Sequence, residues 1–167
     1  MGEHHGYKSA FEGAAEAGSQ TTPARDAMIR MLDHTADVGF ELKAPTLEAM
    51  FDEARRALLM TVFERPPRSG EDEDSVRLSA PDLETLLVRW INELVFLIQG
   101  DGFVPVHADV RIEESGGEGF SLEASLTGAS LDVEGHGWQG EIKSATFHRL
   151  DVTNESGCWQ AQVILDV

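Results

Sequence analysis

The segment from Leu83 to Val95 constrains the fold more than any other. Leu83, Leu86, Leu87, Trp90, Ile91, Leu94 and Val95 recur at spacings of three and four. On a helix that pattern gathers them into one wide apolar stripe. A stripe of this width needs an extended apolar partner, and a sheet is the natural one. Pro81 suits the first turn, and Ser79 with Asp82 three residues on has the spacing of a capping pair. Gly100-Asp-Gly102 ends the helix. A second, narrower stripe precedes it: Leu47, Met50, Phe51, Ala54 and Leu58 follow a good N-cap residue, Thr46. That helix is predicted to run to about Met60, with Glu48, Asp52, Glu53, Arg55 and Arg56 mostly off the stripe.

The rest reads as strands. Met28–Leu32 and Val38–Ala44 precede the first helix, the second of them alternating around Phe40 and Leu42. A loop over 65–74 holds two prolines and an acidic cluster, and a short strand over Ser75–Ser79 follows it. After the second helix, Val104–Glu113 and Phe120–Leu126 alternate around a glycine-rich hairpin loop. A stretch with Gly135, Gly137 and Gly140 comes next, and its glycines belong to loops. Strands over Thr146–Val152 and Cys158–Asp166, joined by Asn154-Glu-Ser-Gly157, close the sequence. The expected fold is α+β and two-layered, with two helices packed on one face of a mixed or mostly antiparallel sheet. Residues 28–167 form the domain. Residues 1–27 are a flexible extension, with room for a short helix around Ser9–Ala17.

Composition narrows the function classes. The chain has 167 residues, enough for one domain with its own core. Its one cysteine excludes an internal disulfide. The longest purely apolar run, Leu94–Ile98, is too short to cross a bilayer, and the N-terminus lacks the apolar core of a signal peptide. No membrane role and a cytoplasmic setting are expected. The net charge is -17. Residues 1–32 hold only four acids and three bases, so the acidity belongs to the folded body. Such a surface repels nucleic-acid backbone and suits a cation or a basic partner, while leaving room for a small basic patch. Ten Arg against three Lys fits a protein kept soluble at high salt, and a GC-rich coding bias lowers lysine equally well.

No GxxxxGK[ST], GxSxG, HExxH or CxxC pattern occurs. Cys158 has no obvious base near it in sequence. Three segments could carry chemistry. Asp33-His-Thr-Ala-Asp37 puts two carboxylates and an imidazole between two strands, where sites gather. Asp33 and Asp37 could equally cap turns through their own backbone. Asp166 follows an apolar run, and Val167 adds a terminal carboxylate one residue on, with no Lys or Arg beside them in sequence. Asp37, Asp166 and that terminus could give three oxygens to a hard cation, and a frayed terminus is the alternative. In Glu141-Ile-Lys-Ser-Ala-Thr-Phe-His148, Lys143 could pair with a carboxylate or an anionic group. His148 could orient a carboxylate ligand through a ring N–H. A solvated lysine and a cross-strand packing histidine are the alternatives.

Taken in order, these pieces resemble the archease family. The resemblance is carried by Asp33-His-Thr-Ala-Asp-Val-Gly39, Leu47-Glu-Ala-Met-Phe-Asp-Glu-Ala54 and Pro81-Asp-Leu-Glu-Thr-Leu-Leu-Val-Arg-Trp90. Glu141–His148 and Val163-Ile-Leu-Asp-Val167 complete it. It spans roughly residues 28–167. It implies a small α+β protein that is not an enzyme but a cofactor of an RtcB-type RNA ligase. That ligase joins RNA ends in tRNA splicing or repair, and the cofactor promotes its guanylylation and repeated turnover. The resemblance also implies a divalent cation, with calcium expected in crystals and magnesium or manganese as alternatives. Its ligands would be Asp37, Asp166 and Val167, with His34, Lys143 and His148 as further functional candidates. No stable nucleic-acid binding of its own follows. The rival functions are a metal-dependent phosphoester hydrolase and a metal-independent chaperone or scaffold.

Overall fold

In a computed structural model the described residues are 27–33 and 37–167. Residues 1–26 of the expected 1–27 extension, with the short helix around Ser9–Ala17, and His34 lie outside them. Strands β1 (Met28–Asp33) and β2 (Asp37–Ala44) lead into helix α1 (Leu47–Val62). Strand β3 (Asp72–Ala80) and helix α2 (Leu83–Gln99) follow. Strands β4 (Phe103–Glu114) and β5 (Phe120–Ser130) form a long hairpin. The single turn α3 (Val133–His136) precedes β6 (Ser144–Thr146), β7 (Val152–Glu155) and β8 (Cys158–Asp166).

The α+β, two-layer expectation holds, and every strand pairing is antiparallel. The strands divide between two sheets. One has the order β1-β2-β8-β6, with β7 also on β8, and the other has the order β3-β5-β4. Helix α1 touches β1, β2 and β8 of the first sheet and β4 of the second, while α2 touches β3, β4, β5 and β6. One core therefore spans both sheets. Phe40, Leu42, Val163 and Leu165 of the first join Val76, Leu122 and Leu126 of the second beneath Phe51, Leu58, Leu87 and Trp90. Trp90 is fully buried, and its Nε1–H donates to the Phe51 carbonyl at 2.9 Å, tying α2 to α1.

Both helices start on side-chain caps. Thr46 accepts from the Ala49 N–H at 3.1 Å, as its position in sequence predicts. At α2 the cap is Asp82, which accepts from the Thr85 N–H at 2.7 Å, so the Ser79 capping pair does not form. Hydrogen bonds from the Thr85 side chain, then from its backbone, hold the Asp82 carboxyl below its ordinary value. A lowered folded-state pKa means that the charged cap contributes stability above the unfolded value. That contribution is lost as pH falls through the folded one. D82A is expected to lose about 1 kcal/mol in urea unfolding at neutral pH, and D82N much less because it keeps an accepting oxygen. Equal losses in the two variants would contradict the cap.

Three local expectations are corrected. Strand β3 starts at Asp72, inside the acidic cluster assigned to a loop. It is an edge strand whose Asp72, Glu73 and Asp74 are exposed, so they charge the edge without burying anything. The strand expected over Thr146–Val152 is two short ones, β6 and β7, both on the same edge of β8. Between them the chain leaves the sheet in a turn where Arg149 has φ 54. Finally, Glu53 and Arg55, expected off the apolar stripe, are 6% and 4% exposed. The register of β4 shifts between Pro105 and His107, and Arg55 Nη1 donates to the Pro105 and Val106 carbonyls at 3.0 and 2.6 Å. The bulge frees those carbonyls from the ladder, and a buried guanidinium satisfies them.

Candidate functional site at the end of the five-stranded sheet

Strand β8 lies at the middle of the first sheet. Its apolar run Val163-Ile-Leu165 fits a strand with neighbours on both edges. On β2 the residues Phe40, Leu42 and Ala44 are buried. By the two-residue period of a strand, Asp37, Gly39, Glu41 and Lys43 then point to the other face. On β8 the residues that join the core are Ala161, Val163 and Leu165. Asp166 therefore shares the outer face with Asp37.

The register sets these two carboxylates side by side. Asp37 pairs directly with Asp166, and Ser144 pairs with Asp166 from the other side. Cβ atoms of directly opposed residues stand about 4.5–5.5 Å apart, and like charges in such a pair repel. Asp37 and Asp166 are both exposed. Neither has an ion-pair partner among the described residues. Val167 follows at 41% exposure.

The remaining candidates are placed as follows. Lys143 donates its backbone N–H to the Asp166 carbonyl at 2.8 Å, and so flanks the pair with an exposed side chain. His148 is not in a strand. It is exposed in the turn after β6, and its N–H donates to Thr146 Oγ1 at 3.4 Å. β6 runs antiparallel to β8 from the Asp166 level toward Ile164, so that turn leads away from Asp166. His34 lies outside the described residues.

Gly39 locks this end of the sheet. A Cβ built there would stand 2.8 Å from both the Val163 carbonyl oxygen and Ile164 Cδ1. The first of these is backbone and cannot move aside cheaply. Ile164 is buried on the outer face, 4% exposed, beside the room that Gly39 leaves. G39A is expected to cost about 1–3 kcal/mol by pushing β2 off β8. Thermal unfolding measures it, and an unchanged midpoint would show that the strands can separate freely.

The donor set is all oxygen: two carboxylates on one face and the backbone of Val167. That chemistry fits a hard cation such as calcium or magnesium and not a thiophilic one. Among the described residues no three His, Cys, Asp or Glu side chains form a metal-holding group. A cation here would therefore complete its shell with backbone oxygen and water. Sequence reasoning missed a second charged site, a cleft lined by Arg55, Arg56, Arg65 and Arg68. Its signal was the crowding of four arginines into one short segment of an acidic chain. No helix among the described residues is long and apolar enough to cross a membrane.

Comparison with known proteins places this arrangement in a family. A model of the archease protein family (MTH1598/TM1083) matches residues 30–167. The protein archease of Methanosarcina mazei is 36% identical over 146 residues, covering 87% of this chain and 99% of that relative. The one from Pyrobaculum neutrophilum is 31% identical over 148 residues, covering 87% and 99%. The solution structure of Methanobacterium thermoautotrophicum protein 1598 superposes with a TM-score of 0.68 at 28% identity, over 83% of this chain and 98% of that one. A crystal structure from Thermotoga maritima, described as an archease and possible chaperone, shares the fold at a TM-score of 0.55 and 21% identity, over 84% and 98%. The matched span takes in both helices and the sheet end where Asp37 meets Asp166, and the chain is therefore a member of the archease family.

Proposed function

We propose that this protein is a non-enzymatic cofactor of an RtcB-type RNA ligase, acting in the cytoplasm to promote guanylylation and repeated turnover of the ligase. The observation that carries the reading is the direct pairing of Asp37 with Asp166 across β2 and β8. Two opposed, unneutralised carboxylates at an exposed sheet end form a poor resting structure and a good cation acceptor. Asp37, Asp166 and a backbone oxygen of Val167 would hold a divalent cation. When bound, it supplies positive charge to phosphate oxygens.

The chain's own residues do the rest. The sheet end presents the carboxylates on a rigid frame, because β8 is held on both edges. This edge would enter or abut the active site of the ligase, and the acidic body would suit a basic surface on that partner. Lys143, flanking Asp166, would contact a phosphate or steady a carboxylate. The partner holds the RNA, so the charge of -17 is no obstacle.

The test is multiple-turnover ligation by the partner ligase with and without this protein. Stimulation of product formation and of ligase guanylylation supports the reading, and its absence rejects it. Phosphoester hydrolysis by the isolated chain, lost in D37A, would instead favour the hydrolase.

A further inference from the structure

We propose that the arginine-lined cleft between α1, the segment after it and β4 binds the phosphate chain of a nucleotide. Asp52, Arg55, Arg56, Leu59 and Met60 repeat at three and four, so they form one face of α1, distinct from the face built on Met50, Phe51, Ala54 and Leu58. With the 64–68 segment and His107 of β4, this face encloses an open cleft of about 830 Å³. That volume suits a nucleotide-sized ligand. The cleft is built from elements other than β2 and β8, so it is separate from the Asp37–Asp166 edge.

The cations differ in how they are engaged. Arg55 is committed to the β4 bulge and to Asp52, at 2.7 Å. Arg56 pairs with Glu53 at 2.6 Å, yet its side chain is 55% exposed. Arg65 pairs with Glu64 at 3.1 Å in an exposed bridge, and it also reaches the Gly135 and Glu134 carbonyls. The exposed Arg65–Glu64 pair is weak and yields to a better anion, whereas Arg56 is held by the buried Glu53 and offers its remaining N–H donors. Arg68 is exposed and makes no hydrogen bond or ion pair among the described residues. Four guanidinium groups thus face three carboxylates here, a local excess of positive charge in a chain of net charge -17.

Guanidinium forks match phosphate oxygens two at a time, which favours phosphate over other anions. The cleft also has an apolar side. Met60 is 54% exposed, and Pro66 and Pro67 stand beside it. A flat base would cover them while the phosphates reach Arg56, Arg65 and Arg68. A long polyanion would have to run out over the acidic body, where it is repelled. A compact phosphate chain avoids that cost.

The test uses the full chain at low ionic strength with chelator present, titrated calorimetrically with ATP, with inorganic tripolyphosphate and with a short single-stranded RNA. ATP and tripolyphosphate are expected to bind, and R68E to weaken both by about tenfold or more. R68E disturbs no partner, so it should melt with the unchanged chain; R56Q, which keeps a donor for Glu53, should weaken binding less. D37N/D166N should bind ATP as the unchanged chain does. No binding of ATP or tripolyphosphate, unchanged binding by R68E, or loss of binding in D37N/D166N would each overturn the proposal. RNA binding more tightly than ATP through the same arginines would overturn its assignment to a compact ligand.

Discussion

In a multiple-turnover ligation assay, the D37A/D166A protein is expected to yield no more product than the ligase alone. D37A and D166A singly should each lose most of the stimulation. Both side chains sit on the exposed face at one end of the sheet, and neither touches the core. Removing one also relieves repulsion between directly opposed charges. Stability should therefore stay within about 0.5 kcal/mol of the unchanged protein, or rise slightly. That combination separates function from folding: activity lost, melting not lowered. A surface-only scaffold predicts the opposite, full stimulation by both variants, and that result would sink the cation-edge mechanism. D37N and D166N sharpen the test, since they keep shape and remove charge.

W90A is expected to cost about 3–5 kcal/mol, the largest stability loss of any single change proposed for this chain. Trp90 is fully buried, has the largest of the fully buried side chains among the described residues, and donates its indole N–H to the Phe51 carbonyl. Truncation empties the place where α1 and α2 meet above both sheets. Typical domain stability is only about 5–15 kcal/mol, so the variant should be partly unfolded at modest temperature or denaturant. W90F should lose less, since it fills most of the volume and forgoes one hydrogen bond. Urea unfolding resolves the two. A W90A loss under about 1 kcal/mol would mean that the helices are held by something other than this contact.

The sequence was most legible where burial repeats with a local period. The α2 stripe placed its helix within a residue or two, and β8 matched its predicted limits. What failed was whatever depends on a distant partner. Alternation over Thr146–Val152 is real, but it does not show that the chain steps out of the sheet at Phe147 and returns at Val152. Nor does it tell a strand which sheet it will join. Arg55 looked like a solvated charge because the carbonyls that need it sit on β4, 50 and 51 residues away in sequence. The candidate site shows the same limit. Asp37 and Asp166 stood out as carboxylates near strand ends that could share a cation. That they face each other is a fact of register, fixed by how β2 and β8 meet. His148 was misplaced for the converse reason, since its neighbours alternate but its own segment is a turn.

Strand β8 is the platform on which β2, β6 and β7 assemble, and it comes after all of them in the chain. During synthesis β2 can pair with β1 at once, but its other edge must wait until β8 has left the ribosome. Closing so long a loop costs chain entropy before the pairing repays it. A half-made or C-terminally clipped chain can therefore hold the β4–β5 hairpin and its helices, yet it cannot display Asp37 against Asp166. The Asp37–Asp166 pair exists only once β8 has joined β2, so a ligase that reads that pair would engage only chains in which this pairing is made.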